Sequence, residues 1–157
     1  KYFGKAWYYK TFAWLLADML LNARVRSVSN GNKVNEYDMI ISVPLHKARE
    51  KKRGYNQACL ISKELSRVMK LPEASSLLIR TKNTAPQSLL QNEDRSSNIK
   101  NAFKVTDVNK IKGKKILLID DVMTTGSTVN ECSRVLKEAG AVKVDIAVIA
   151  VAFVFEL

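Results

Sequence analysis

Ile116-Leu117-Leu118-Ile119-Asp120-Asp121-Val122-Met123-Thr124-Thr125-Gly126-Ser127-Thr128 is the stretch on which the fold turns. Four aliphatic residues running into an acid pair read as a buried strand of a parallel sheet, since a strand covered on both faces shows no polar alternation. Open sheets of that kind take ligands in the crevice outside the carboxyl ends of their strands. Asp120 and Asp121 therefore fall where a ligand is expected. Thr124, Thr125, Gly126, Ser127 and Thr128 follow with backbone N–H groups and hydroxyls at the positive N-terminus of the next helix, the chemistry that grips a phosphate.

Two carboxylates beside a phosphate cradle repel the phosphate unless something lies between them. A ribose fits that gap: its 2′- and 3′-hydroxyls donate to Asp120 and Asp121 while its 5′-phosphate sits at Thr124 to Thr128. No Lys follows Gly126, which argues against the GxxxxGK[ST] loop of nucleoside-triphosphate sites. A plain strand, turn and helix cap would use the same residue types in any α/β protein. The order of strand, acid pair and hydroxyl-Gly-hydroxyl turn nevertheless resembles the phosphoribosyl pyrophosphate (PRPP) motif of type I phosphoribosyltransferases.

Outward from this motif, 157 residues with 46% hydrophobic content make one domain with a real core. No apolar run reaches the ~18 residues of a membrane span, and Asp18 and Asn22 interrupt the Leu15 to Leu21 region. We therefore expect no membrane insertion. The chain opens on Lys1, shows no signal-peptide core, and is expected to be cytoplasmic and a piece of a longer protein. Its only cysteines, Cys59 and Cys132, form no CxxC pair, so neither a zinc site nor a disulfide framework is expected. Cys132 reads as core. A net charge of +11 favours polyanionic ligands or partners. The densest block, His46 to Arg53, holds five Lys or Arg in eight positions and reads equally as a solvated loop, a pyrophosphate clamp or part of a nucleic-acid footprint.

Periodicity sets the remaining elements. Trp7, Phe12, Trp14, Leu15, Leu16, Met19 and Leu20 predict an aromatic-rich helix ending near Asn22 that covers the sheet. Met39 to Val43 reads as a buried strand stopped at Pro44. Ala58, Ile61, Leu65 and Val68 mark a helix before Pro72. Ser76 to Ile79 is a weakly signalled strand. Lys115 to Ile119 and Val142 to Ala150 are further strands, separated by a helix with Val129, Cys132, Val135, Leu136 and Ala139 inside and Gly140 at its end. Strands alternating with helices predict an α/β fold with a doubly wound, mainly parallel sheet and flanking helices.

Three further segments resemble the ComF competence-protein family within the type I phosphoribosyltransferases. They are Val43-Pro44-Leu45-His46 through Arg53-Gly54-Tyr55-Asn56-Gln57-Ala58; Arg80-Thr81 through Thr84-Ala85-Pro86-Gln87 to Leu90, Asp94-Arg95 and Asn98; and Tyr2 to Leu20. The family usually carries a four-cysteine zinc module ahead of this domain, which this sequence does not contain.

The resemblance implies a type I phosphoribosyltransferase fold that binds PRPP with Mg²⁺ carried on the substrate. It implies a pyrophosphate position near Leu45 to Lys47, with Arg49, Lys52 or Arg53 as electrostatic partners. His46 reads first as a loop histidine capping a strand end and second as a general base. Asn56 is either a helix cap or a functional residue. Segment 81 to 101 is similar to the mobile hood that closes over PRPP, with Thr84, Gln87 and Arg95 as candidate contacts. Family membership further implies a link to DNA uptake in natural transformation, with single-stranded DNA or competence-machinery proteins as partners. A phosphoribosyltransferase of unknown acceptor is the first functional expectation. A non-catalytic PRPP- or nucleotide-sensing, DNA-associated module is the alternative, and a purine-salvage or amidophosphoribosyltransferase-type enzyme fits the segments less well.

Overall fold

A computed structural model describes residues 8–27, 36–82 and 99–152. The elements are α1 (Tyr8–Ser27), β1 (Met39–Ser42), α2 (Lys47–Arg53), α3 (Gln57–Met69), a 3₁₀ turn (Ser75–Leu77), β2 (Leu78–Arg80), β3 (Phe103–Val105), α4 (Val108–Ile111), β4 (Lys115–Met123), α5 (Ser127–Glu138) and β5 (Lys143–Val151).

The main sheet has the order β1-β4-β5, all parallel, with Ile41 opposite Leu118 and Leu118 opposite Ile146. Ile116 to Ile119 are all but inaccessible, as a strand with helices on both faces must be. Their side chains alternate. Leu117 and Ile119 join Ile40, Ile61 and Leu65 of one core, to which α1 contributes Ala13, Leu16 and Ala17. Ile116 and Leu118 join Ile41, Cys132 and Leu136 of the other, under α5. The doubly wound α/β prediction stands on this two-sided burial.

Several expectations are corrected. The basic block is not a loop: Lys47 to Arg53 form α2, whose N-cap His46 accepts a bond from the Ala48 N–H at 3.3 Å through Nδ1. Helix α2 stops at Gly54, whose φ of +87° is open to glycine at little cost. The acid pair does not end β4, which runs on to Met123 because β5 pairs with it as far as Val151. The strand expected at Ser76 to Ile79 is a 3₁₀ turn followed by β2, and β2 pairs antiparallel with β3 in a second, two-stranded sheet. Three-residue strands leave too short a pattern to read. Helix α1 extends five residues past Asn22 and does cover the sheet, yet Trp14, Leu15 and Met19 are each more than half exposed. Its inner face includes the small residues Ala13 and Ala17, so the large apolar side chains that signal the helix do not all lie inside.

Candidate functional site

Both strands that meet the site deliver residues towards their carboxyl ends: β1 runs out into Val43-Pro44-Leu45-His46, and β4 carries Asp120-Asp121 just before it ends at Met123. Asp120 is 9% exposed. Its Oδ1 accepts the Asp121 N–H at 2.9 Å, and Asp121 Oδ1 accepts the Val122 N–H at 3.0 Å. Burial, and then the neighbouring Asp121 charge, push the Asp120 carboxyl up to about 7, against which the Arg80 guanidinium works only in part.

Gly126 sits at the N-cap of α5 with φ +76°, a conformation that admits glycine freely and turns the chain from strand into helix. Glycine itself offers no capping side chain, and Thr125 Oγ1 accepts the Ser127 N–H at 3.5 Å. The Thr125 and Ser127 hydroxyls bond each other at 2.9 Å. Asp120, Thr124, Gly126 and Thr128 line a cradle of about 20 Å³ there, room for a single water-sized body. An arriving phosphate would exchange the Thr125–Ser127 bond for its own oxygens and widen the turn.

Across the cleft, α2 is joined to the acid pair. Arg53 Nη2 stands 3.8 Å from Asp121 Oδ2, and the guanidinium lies 5.2 Å from the Tyr55 ring centroid. Asn56, 8% exposed at the start of α3, donates from its side-chain amide to the Val43 carbonyl at 3.0 Å and makes no cap bond. It therefore pins the Val43 to Leu45 turn to α3. Arg80, at the end of β2, lies 5.4 Å from the Phe103 ring centroid. Burial, and then the charge of Arg49, lower its pKa.

Residues 56–152 match the family model described as the phosphoribosyl transferase domain. Competence protein F of Haemophilus influenzae is 36% identical over 147 residues, 93% of this chain and 62% of that protein. The chain belongs to the ComF family of the phosphoribosyltransferase superfamily. DNA utilization protein YhgH of Escherichia coli K12 is 39% identical over 109 residues, 69% of the chain and 47% of its own length. This ComF-family chain thus spans about half to three-fifths of the length of these curated relatives. Two solved structures share the fold: the PRPP amidotransferase of B. subtilis complexed with ADP and GMP, and a purine phosphoribosyltransferase of Pyrococcus horikoshii. The first has a TM-score of 0.56 at 17% identity, covering 90% of the chain and 26% of the enzyme; the second has 0.51 at 15%, covering 96% and 84%. The fold is that of the type I phosphoribosyltransferases.

The ComF-type site gathers most of the sequence-derived candidates on one edge of the sheet. Asp120, Thr124, Gly126 and Thr128 share the small cradle, and His46, Lys47 and Asn56 line a larger cavity beside β1. Arg53 reaches Asp121. Thr84, Gln87 and Arg95 lie outside the described residues. Arg80 joins the site without a role predicted from sequence. Its signal there is faint, a single Arg at the end of a strand too short to recognise. No helix among the described residues is long and apolar enough to cross a membrane.

Proposed function

We propose that this ComF-family domain binds PRPP together with Mg²⁺ and transfers or presents its phosphoribosyl group in a process of DNA utilisation. One observation carries the reading: Asp120-Asp121, near the carboxyl end of the central parallel strand β4, are followed within a few residues by a positive-φ glycine at the N-terminus of α5. The acid pair takes the ribose 2′- and 3′-hydroxyls, and the α5 turn takes the 5′-phosphate. Lys47, with Arg80 beyond it, attracts the pyrophosphate.

The residues fit Mg²⁺. Asp120 is buried against a second carboxylate, so that a cation there would favour its ionised form, and among the described residues no three His, Cys, Asp or Glu converge. Such an ion takes its remaining ligands from substrate oxygens and water. When bound it neutralises charge on the leaving pyrophosphate. The protein positions the sugar and supplies cations to the departing group as the bond from ribose C1 to pyrophosphate breaks.

Titration calorimetry with PRPP, with and without Mg²⁺, tests this. Saturable Mg²⁺-dependent heat that Asp121→Asn abolishes is the expected result; a folded chain without binding refutes it.

A second reading rests on α2. Its exposed Lys47, Lys51 and Lys52 form a cationic surface next to the site, and relatives are named for competence and for DNA utilisation. The same domain then binds single-stranded DNA, with a steep salt dependence.

A further inference from the structure

Beside β1, whose outer edge bonds with Pro72 and Ala74, lies a cavity of about 620 Å³ that shares no lining residue with the cradle at Asp120. Its volume is that of a small-molecule site, far more than a pyrophosphate occupies. Three kinds of wall meet in it. Lys47, Lys63 and Arg80 are cationic; Leu45, Leu78 and Ile79 are apolar; Glu50 and Glu73 are acidic.

Glu73 is held by neutral donors. Its Oε1 accepts from Ser62 Oγ at 3.2 Å, from the Ser75 N–H at 3.2 Å, and from the Ser75 hydroxyl. Ser75 Oγ in turn accepts from the Ser42 N–H and the Ser42 hydroxyl, each at 2.8 Å. The three bonds that reach Glu73 converge on one carboxylate oxygen. Among the described residues no hydrogen bond reaches the other, and Glu73 enters no ion pair, Lys63 in the same cavity included. A carboxylate fixed in this way, with an oxygen to spare in a cavity, is an acceptor preorganised for a donor that the chain does not provide.

We propose that this cavity binds a nucleoside diphosphate, with its phosphates on Lys47 and Arg80, its base against Leu45 and Ile79, and a base N–H donated to Glu73 Oε2. Cations, an apolar wall and a fixed acceptor together match the phosphate, ring face and edge of a nucleotide. Only one part rests on the PRPP reading: both ligands use Lys47, so they exclude one another there.

Cys59 makes the test direct. It lines this cavity and is partly accessible, whereas Cys132 is fully buried. The rate of iodoacetamide alkylation at Cys59, followed by mass spectrometry on the 157-residue chain, reports occupancy. ADP, GDP, CDP and UDP are titrated singly, with pyrophosphate as the phosphate-only control.

The expected result is saturable protection by one or more of the four and not by pyrophosphate at the same concentration. Glu73→Gln weakens it roughly tenfold, the loss of one charge-assisted hydrogen bond. Asp121→Asn leaves it intact. Cys132 staying unreactive certifies folding of each variant; should Glu73→Gln expose it, Ile79→Asp, at a 39% exposed position, decides by abolishing protection. No protection by any nucleotide, equal protection by pyrophosphate, or protection indifferent to the deciding variant overturns the proposal. PRPP binding measured in parallel separates the two readings: PRPP bound with nucleotides ignored removes this cavity's ligand and leaves the acid-pair site standing.

Discussion

Arg53 and Asp121 stand 3.8 Å apart across the mouth of the cleft, each about a third exposed, and they tie helix α2 to the tip of strand β4. A partly solvated pair of this kind adds little to stability, under about 1 kcal/mol. Its weight is positional, since it sets the cation beside the carboxylate expected to hold ribose. Arg53→Ala should leave the melting temperature almost unchanged and weaken PRPP about tenfold, because it removes the cation that stands beside Asp121. Arg53→Lys should not restore it, because an ammonium lacks the planar fork that also faces Tyr55. Calorimetry on both variants checks this, and full rescue by Lys would reduce Arg53 to a point charge.

Asp120 gives the ligand-free protein a pH dependence of definite sign. Its folded pKa, pushed up to about 7 by burial and by Asp121, exceeds the ordinary 3.8 of an unfolded Asp. Below the lower value both states are protonated and the group's contribution is complete. As pH climbs through 7 the folded protein must ionise a buried carboxyl beside another, and that contribution is lost. Urea denaturation from pH 4 to 8 should therefore show wild type losing stability relative to Asp120→Asn, on the order of a few kcal/mol at most. A constant difference between the two proteins across that range would remove the burial argument.

Gly126 is the hinge of the phosphate turn. A Cβ there meets nothing closer than Asn130 Nδ2 at 3.6 Å, so space is not the obstacle. The obstacle is the φ of +76°. Gly126→Ala should cost roughly 1–2 kcal/mol through backbone strain alone, read as a lowered urea midpoint with the slope unchanged. A neutral result would mean that the turn relaxes into another conformation.

Legibility in the sequence differs by element. Ile116 to Ile119 are plain to read because burial on both faces leaves four aliphatic residues in a row, and the positions of Asp120, Gly126 and the α5 face follow from that frame. Cys132 as core follows from helical spacing. The β2–β3 sheet is hidden, since three-residue strands with the pattern of Leu78-Ile79-Arg80 carry no periodicity, and Arg80 is hidden with them. The basic block misleads because charge dominates its composition. The cap at His46 and the stop at Gly54 are readable, but seven residues give only two turns of helix and no buried face to reveal a period. Glu73, too, is invisible as a site residue. What distinguishes it is a set of serines at positions 42, 62 and 75, brought together only by the packing of β1, α3 and the 3₁₀ turn.

Lys51 and Lys52 offer the cleanest division between the two proposed ligands, PRPP and single-stranded DNA. Both lie exposed in the last turn of α2, and neither lines the cavity that Lys47 lines. Their charges also suit the negative C-terminal end of that helix, so replacing them costs at most about 1 kcal/mol of stability. If α2 binds single-stranded DNA, the double variant Lys51→Glu/Lys52→Glu should weaken an oligonucleotide strongly at low salt. It should also flatten the dependence of log affinity on log salt by about 0.7 for each phosphate interaction removed. PRPP affinity, which depends on the strand tips, should stay within about twofold, a shift of roughly 0.4 kcal/mol. Fluorescence anisotropy with a labelled oligonucleotide across a salt series, beside calorimetry with PRPP, reads both quantities. A double variant that binds DNA with the wild-type slope would move the nucleic-acid surface off α2, and one that loses PRPP as well would merge the two surfaces into a single site.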